Sequence, residues 1–178
     1  PVPALQGLDQ DDRVLLAGSF SKVLFPALRL GYFVVPEMLV DRMATMLSVS
    51  RRHGAVLEQA ILADFIADGH FGRHIRRMRE IYAQRLGVLL EEGRRHLDGL
   101  LTISDVEAGL QTVGWLADGL DARRVADVAA RRDVQVTPIS EYALSPQPRE
   151  GLQLGFAAVD EVELKRGVRE LARVLRDG

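Results

Sequence analysis

The stretch that decides the fold reads GSFSKVLFPALRLGY and spans residues 18–32. One apolar run, residues 14–17, precedes it, and a second, residues 30–35, follows it before Pro36. Short apolar runs bounded by turn residues are typical of buried strands, so we expect strands over residues 13–17 and 30–35. The segment that joins them is then a loop, and it carries the side chains with chemical potential.

Lys22 stands in this loop among apolar neighbours, namely Phe20, Val23, Leu24 and Phe25. Burial lowers the pKa of an amine, and a neutral amine is a nucleophile toward carbonyl groups. The pattern therefore predicts a buried, reactive lysine. The competing interpretation is a lysine at a strand end whose ammonium group reaches water.

Arg29 and two serines complete a candidate anion site around this lysine. Arg29 follows Lys22 by seven residues, and its planar guanidinium suits a bound phosphate. Ser19 and Ser21 have hydroxyls that can donate further hydrogen bonds to the same group. An amine that forms a Schiff base beside a phosphate cradle is what pyridoxal 5'-phosphate requires. We therefore predict Lys22 as catalytic and Lys22, Ser19, Ser21 and Arg29 as cofactor-binding.

The longer string GSFSKVLFPALRLGYFVVP resembles the Schiff-base segment of fold-type I pyridoxal-phosphate aminotransferases of class I/II. Its LFPALRLGY portion looks most like the MocR-type branch of the GntR bacterial regulators, in which an aminotransferase-like domain follows a winged-helix DNA-binding domain. The resemblance continues through GHFGRHIRRMR, residues 69–79, and Tyr82, and persists more weakly to the C-terminus. It implies an α/β fold, the C-terminal part of a fold-type I transferase.

This resemblance also implies a division of the chain. Residues 1–70 would be the truncated C-terminal part of the large cofactor-binding domain, with a remnant of its sheet and helices. Residues 71–98 would be a long connecting helix, and residues 99–178 a small C-terminal α/β domain. A missing N-terminal region would hold the DNA-binding domain and the other half of the cofactor pocket, so we expect the fragment alone to be inactive. The resemblance further implies a homodimer with active sites at the subunit interface.

Composition limits the partners of the chain. Its 178 residues carry a net charge of −2, which gives no bulk attraction for nucleic acid, so DNA is expected only through the missing domain. The absence of cysteine excludes thiolate metal sites and agrees with a reducing compartment, so we expect a cytoplasmic protein without a membrane span. His70 and His74 lie four apart, but no carboxylate completes an H-E-x-x-H set, and we predict no metal site.

Hydrophobic periodicity and capping signals predict the remaining elements. The helix over residues 55–67 is apolar nearly all round, so we expect it to be buried on several sides. We predict that Ser50–Gly54, which precedes this helix, is a polar connection between two helices. We expect further helices over 36–49, 71–97, 121–132 and from Asp160 onward, the third capped by Asp121 and the last by a capping box of Asp160 and Glu163. Strands are expected over 100–106 and 110–117, which would form a hairpin, and over 134–137 and 151–157.

Gln153 is the candidate substrate contact. In its strand, Leu152, Leu154 and Phe156 form the apolar face, so Gln153 points to the other side with only Gly155 and Ala157 for neighbours on that face. Aminotransferases of this fold commonly hold the substrate α-carboxylate with an arginine at the corresponding position. A glutamine can donate a hydrogen bond but supplies no charge, which puts ordinary transamination in doubt. The other interpretation is an exposed strand residue without a role.

Three functions remain open on these residues. In a regulator, the lysine chemistry would sense an amino acid or amine and change DNA binding. In a stand-alone class I/II aminotransferase, Lys22 would act as acid and base on the substrate carbon. The third possibility is a packing and dimerisation module without activity.

Overall fold

The computed structural model describes residues 3–50, 54–145 and 147–177. The chain divides into two compact units, Pro1–Arg76 and Arg77–Gly178. The helices of the described ranges are α1 (Glu37–Ser50), α2 (Val56–Ala67), α3 (His70–His96), α4 (Ala122–Ala130) and α5 (Glu161–Asp177). The strands are β1 (Leu16–Ser19), β2 (Gly31–Val34), β3 (Leu101–Ile103), β4 (Gln111–Leu116), β5 (Thr137–Pro138) and β6 (Gly151–Gly155). None of these helices is both long and apolar enough to cross a bilayer.

The first unit contains the β1–β2 hairpin, which is antiparallel with Leu16 opposite Val34 and Ser19 opposite Gly31. The strand predicted over 30–35 is thus confirmed in place. Its predicted burial is wrong, because a two-stranded sheet has no central strand and all four residues of β2 stay exposed.

The first strand begins later than residue 13, and Asp9 supplies the reason. Its carboxylate accepts hydrogen bonds from the backbone N–H groups of Asp11 at 3.0 Å, Val14 at 2.8 Å and Arg13 at 2.7 Å. These bonds hold the pKa of the Asp9 carboxyl below its ordinary value, and the bond from Asp11 has the largest effect. They also occupy donors that a strand ladder would need, so residues 13–14 remain in the loop.

Helices α1 and α2 occupy the predicted positions but are far less buried than their sequences suggest. On α2 only Leu62 is buried, whereas Leu57 keeps 69% of its surface exposed and Ile61 keeps 58%. The expectation that α2 is enclosed on several sides is therefore wrong for this chain, since no described element of the first unit covers those side chains. The polar connection predicted before α2 includes Arg51–His53, which lie outside the described residues.

The second unit is built on a four-stranded antiparallel sheet in the order β3-β4-β6-β5. The β3–β4 pairing confirms the predicted hairpin. One face of the sheet is buried, and its core joins residues of α3, α4 and α5 with Leu116, Leu152, Leu154 and Phe156 of the sheet region. Asp121 caps α4 by accepting from the N–H groups of Arg123 and Arg124, and Asp160 caps α5 through the N–H of Glu163, as predicted.

The prediction of a strand over 134–137 is wrong except at its end, where β5 begins at Thr137. Asp133 adopts a left-handed conformation with φ of 55°, and the N–H of Val134 donates to the carbonyl of Ala129 at 3.0 Å. These features continue the C-terminal turn of α4. Pairing with β6 therefore begins only at Thr137, opposite Gln153.

Candidate functional site

The candidate site lies at the end of β1 and in its connection to β2, residues 19–30, which we call the lysine loop. Its two ends meet where the N–H of Phe20 donates to the carbonyl of Leu30 at 3.0 Å, directly beyond the last pair of the hairpin ladder. Inside, the N–H of Leu24 donates to the carbonyl of Phe20 at 2.8 Å and closes a turn around Ser21, Lys22 and Val23. The hairpin thus presents Lys22 from a short hydrogen-bonded turn.

Lys22 itself is exposed, and the prediction of a buried lysine is wrong for this chain. The apolar neighbours in sequence do not enclose it, because Val23 and Phe25 are themselves exposed. Neighbours along a tight turn point in different directions, so proximity in sequence does not amount to burial. The ε-amine is therefore open to a ligand from solvent.

The other three predicted cofactor residues belong to the same hairpin. The Ser19 hydroxyl accepts a hydrogen bond from the N–H of Ser21 at 3.2 Å, which ties the two serines together at the start of the loop. Arg29 ends the 3-10 helix Pro26–Leu28 in a left-handed conformation with φ of 51°, and its side chain is exposed. The loop therefore gathers a primary amine, two hydroxyls and a guanidinium within one supersecondary unit.

Three aromatic rings support the base of the lysine loop. The ring of Phe20 lies 5.5 Å from that of Tyr32 and 5.9 Å from that of Phe71, the latter in an edge-on arrangement. Tyr32 can lie across the hairpin because its partner residue is Gly18, where an added Cβ would fall 2.2 Å from the ring. Glycine is thus required for this close approach.

The first turns of α3 contact the lysine loop at a second point. The Nε2 atom of His74 lies 2.9 Å from the carbonyl oxygen of Val23, the residue after Lys22. The sequence analysis considered His74 only with His70, as a metal pair that it rejected, and gave Phe71 no role. The string GHFGRHIRRMR marked this region by resemblance, but no periodicity could reveal a contact across 51 residues.

Gln153 lies in the second unit, on β6. The predicted facing is correct, since Leu152, Leu154 and Phe156 are buried and Gln153 is on the opposite face. Its Oε1 accepts from the hydroxyl of Tyr142 at 3.0 Å, and its Nε2 donates to Oε1 of Gln111 at 2.9 Å. The amide is thus held by two side chains that the sequence analysis did not name, and its role as a substrate contact stays a prediction.

Comparison with known proteins agrees with the predicted family. The chain is 40% identical over 171 residues to the probable rhizopine catabolism regulatory protein MocR of Rhizobium meliloti, covering 96% of this chain and 35% of that protein. It is 32% identical over 171 residues to the uncharacterized HTH-type transcriptional regulator YdeL of Bacillus subtilis, covering 96% of this chain and 37% of that one. The chain thus spans little more than a third of these relatives.

The fold is shared with solved aminotransferases. The α-aminoadipate aminotransferase LysN of Thermus thermophilus, complexed with N-(5'-phosphopyridoxyl)-L-leucine, superposes with a TM-score of 0.88 at 24% identity, covering 99% of this chain and 46% of that one. This likeness confirms the predicted α/β fold class. Residues 1–171 also match the family described as aminotransferase class I and II. The chain therefore belongs to the aminotransferase class I and II family.

Proposed function

We propose that this chain is the cofactor-binding, aminotransferase-like part of a MocR-type transcriptional regulator, and that it holds pyridoxal 5'-phosphate covalently through Lys22. The observation that carries the proposal is the lysine loop, in which the exposed amine of Lys22 shares one hairpin with Ser19, Ser21 and Arg29. The similarity to regulators at 40% and 32% identity supports the regulatory setting.

The residues of the lysine loop fit this cofactor chemically. A phosphate ester needs several hydrogen-bond donors and a positive charge, which the serine hydroxyls and the Arg29 guanidinium provide. Its aldehyde needs a primary amine, and Lys22 is one of only two lysines in the chain. When bound, the cofactor supplies an electron sink that stabilises negative charge on the carbon beside the amino group of a substrate.

Each residue then has a separate task. Lys22 would bind the cofactor covalently until the amino group of an incoming amino acid or amine takes its place on the cofactor. The freed amine of Lys22 could then move a proton at the substrate carbon. Arg29 and Ser19 would hold the phosphate and so keep the cofactor in place during the exchange, with Ser21 assisting. Gln153 would contact the substrate by hydrogen bonding alone.

In a regulator, Lys22 would act as a sensor of amines. Binding of an amine that displaces Lys22 from the cofactor would shift the equilibrium between two conformations of the intact protein. DNA contacts would come from a domain outside this chain, because the chain itself has a net charge of −2. We also propose that the intact protein is a cytoplasmic homodimer, as the resemblance implies, and that residues 1–70, 71–98 and 99–178 act as its three parts.

The decisive experiment maps the covalent site in the intact protein. Borohydride reduction in the presence of pyridoxal 5'-phosphate is expected to fix the cofactor on the peptide that contains Lys22, as identified by mass spectrometry. The Lys22→Ala protein should lose this product and also any effect of the cofactor on DNA binding. The matched control is Lys165→Ala, which removes the exposed lysine of α5 and should leave both unchanged. Cofactor retained by Lys22→Ala at another lysine would refute the assignment.

A further inference from the structure

The N-terminal turns of α3 hold the lysine loop from two sides of Lys22. Phe71 contacts the ring of Phe20, which precedes Lys22, and His74 contacts the carbonyl of Val23, which follows it. Phe71 and His74 are three residues apart, so they share one face of the helix. In the described part of the first unit, the bond from His74 is the one side-chain hydrogen bond that reaches residues 20–30 from a remote part of the sequence.

The hydrogen bond from His74 acts on a peptide group that is already engaged. The carbonyl of Val23 and the N–H of Leu24 belong to the same planar peptide unit. Its N–H donates to the carbonyl of Phe20 at 2.8 Å, and its oxygen lies 2.9 Å from Nε2 of His74. Because a carbonyl can only accept, Nε2 must carry the hydrogen. The peptide between Val23 and Leu24, one residue beyond Lys22, is therefore fixed at both ends, and its orientation constrains the course of the turn that carries Lys22.

We infer that His74 is a positioning residue for Lys22. The Nε2 atom of His74 donates to the Val23 carbonyl and so fixes the turn that presents the Lys22 amine. Hydrogen bonds at the two ends of one peptide unit polarise and strengthen each other. Loss of the His74 donor thus weakens the bond between Leu24 and Phe20 as well, and the turn around Lys22 opens more often. This inference rests on the proposed function only in the part that concerns the cofactor.

His70 provides a matched control on the same helix. Its ring stacks on Phe65 at 5.6 Å, and its Nδ1 accepts from the guanidinium of Arg73 at 2.9 Å. The stacking joins α2 to α3, the hydrogen bond lies within α3, and neither contact involves the lysine loop. Substitution of His70 therefore removes a ring stacking and a hydrogen bond from the first unit without touching the Val23 peptide.

The test compares His74→Leu, His74→Gln and His70→Leu in the intact protein. Glutamine carries an amide nitrogen that can take the place of Nε2, whereas leucine carries no donor. The first readout needs no cofactor: hydrogen exchange of the Leu24 amide is expected to accelerate about three- to tenfold in His74→Leu, the range of one neutral hydrogen bond. His74→Gln should restore most of the protection, and His70→Leu should leave it unchanged.

A second readout is the rate at which Lys22 captures pyridoxal 5'-phosphate, measured by borohydride trapping. We expect about the same three- to tenfold loss in His74→Leu and recovery in His74→Gln. Equal losses in His70→Leu and His74→Leu, in either readout, would overturn the inference by making the effect one of general stability. If the wild-type protein traps no cofactor, the proposed function fails while Leu24 exchange still decides the role of His74.

A third measurement requires no substitution. Nitrogen NMR of the His74 ring should find the hydrogen on Nε2 at neutral pH, because only that form donates to the Val23 carbonyl. A ring with an unprotonated Nε2 would contradict the inference even if every variant failed to fold.

Discussion

Gln153 is the residue at which we predict that this chain departs from the enzymes it resembles. Its amide accepts from Tyr142 and donates to Gln111, so its orientation is fixed by neighbours on either side. These contacts use two of the four hydrogen-bonding positions of an amide and leave the residue uncharged. A ligand that reaches Gln153 therefore meets a neutral hydrogen-bonding group where the resemblance implies an arginine.

Substitution of Gln153 by arginine is expected to strengthen amino-acid binding to the intact protein. One charge-assisted contact to the substrate carboxylate should add about 1.5–3 kcal/mol to the binding free energy. The measurement is a titration of the cofactor absorbance with an amino acid, and cofactor affinity itself should change little.

Two controls make this result specific. Amines that lack a carboxylate should gain little, and Gln153→Met, which has similar length but no charge, should not improve amino-acid binding. Equal gains for amines and amino acids would mean that the effect is not carboxylate recognition. No gain would mean that Gln153 is an ordinary strand residue or that another cation already holds the carboxylate.

The β1–β2 hairpin depends on two glycines that allow a close crossing of its strands. An added Cβ at Gly18 would fall 2.2 Å from the Tyr32 ring, and one at Gly31 would fall 2.8 Å from the backbone oxygen of Gly18. Tyr32 in turn contacts Phe20, which contacts Phe71 of α3. The packing that supports the lysine loop thus requires a residue without a side chain at position 18.

Gly18→Ala is therefore expected to destabilise the hairpin by about 1–3 kcal/mol, the usual cost of overpacking. Tyr32 must leave its place, which also removes the support of Phe20 and should slow cofactor capture by Lys22. Denaturant unfolding measures the first effect and borohydride trapping the second.

The matched control for this prediction is Gly7→Ala. An added Cβ at Gly7 meets no atom within 4 Å, so the change should stay within about 0.5 kcal/mol. If Gly18→Ala proves equally neutral, Tyr32 has a second position of similar free energy and the close crossing is not required for the fold.

At the scale of the whole molecule, burial is distributed unevenly between the two units. The large contiguous core lies in the second unit and includes the buried side chains of Leu97, Leu116, Leu152 and Phe156. In the first unit, by contrast, long apolar side chains of α1 and α2 remain exposed, among them Met38, Met46 and Leu57. Apolar burial is the main favourable term in folding, so the two units should differ in stability.

We accordingly expect amide hydrogen exchange of this chain to be slower in β4, β6 and α5 than in α1 and α2. Phe156→Ala should lower the opening free energy of the second unit by about 3–5 kcal/mol, because it removes a fully buried ring. Exchange in α1 and α2 should not change if the units open independently. Uniform exchange along the wild-type chain, or equal acceleration in both units by Phe156→Ala, would show a single cooperative unit instead.

Much of the molecule could be predicted from local sequence. Helices α1, α2 and α3 have bounds within a few residues of prediction, because apolar spacing, Pro36 and neighbouring polar breaks act over a single turn. The capping roles of Asp121 and Asp160 were equally local. The facing of Gln153 followed from strand alternation, and the strings around Lys22 and over residues 69–79 indicated the family.

Only the tertiary structure decided what each of these residues touches. The start of β1 depends on the carboxylate of Asp9. The exposure of Lys22 depends on the directions in which the side chains of its turn point. That turn is in addition contacted by His74, 51 residues from Val23. The Gln153 amide is fixed by Gln111, which lies 42 residues away in the sequence. Periodicity and composition describe interactions between near neighbours, whereas these contacts form only when remote segments meet, which is why the sequence alone could name the chemical groups but not their partners.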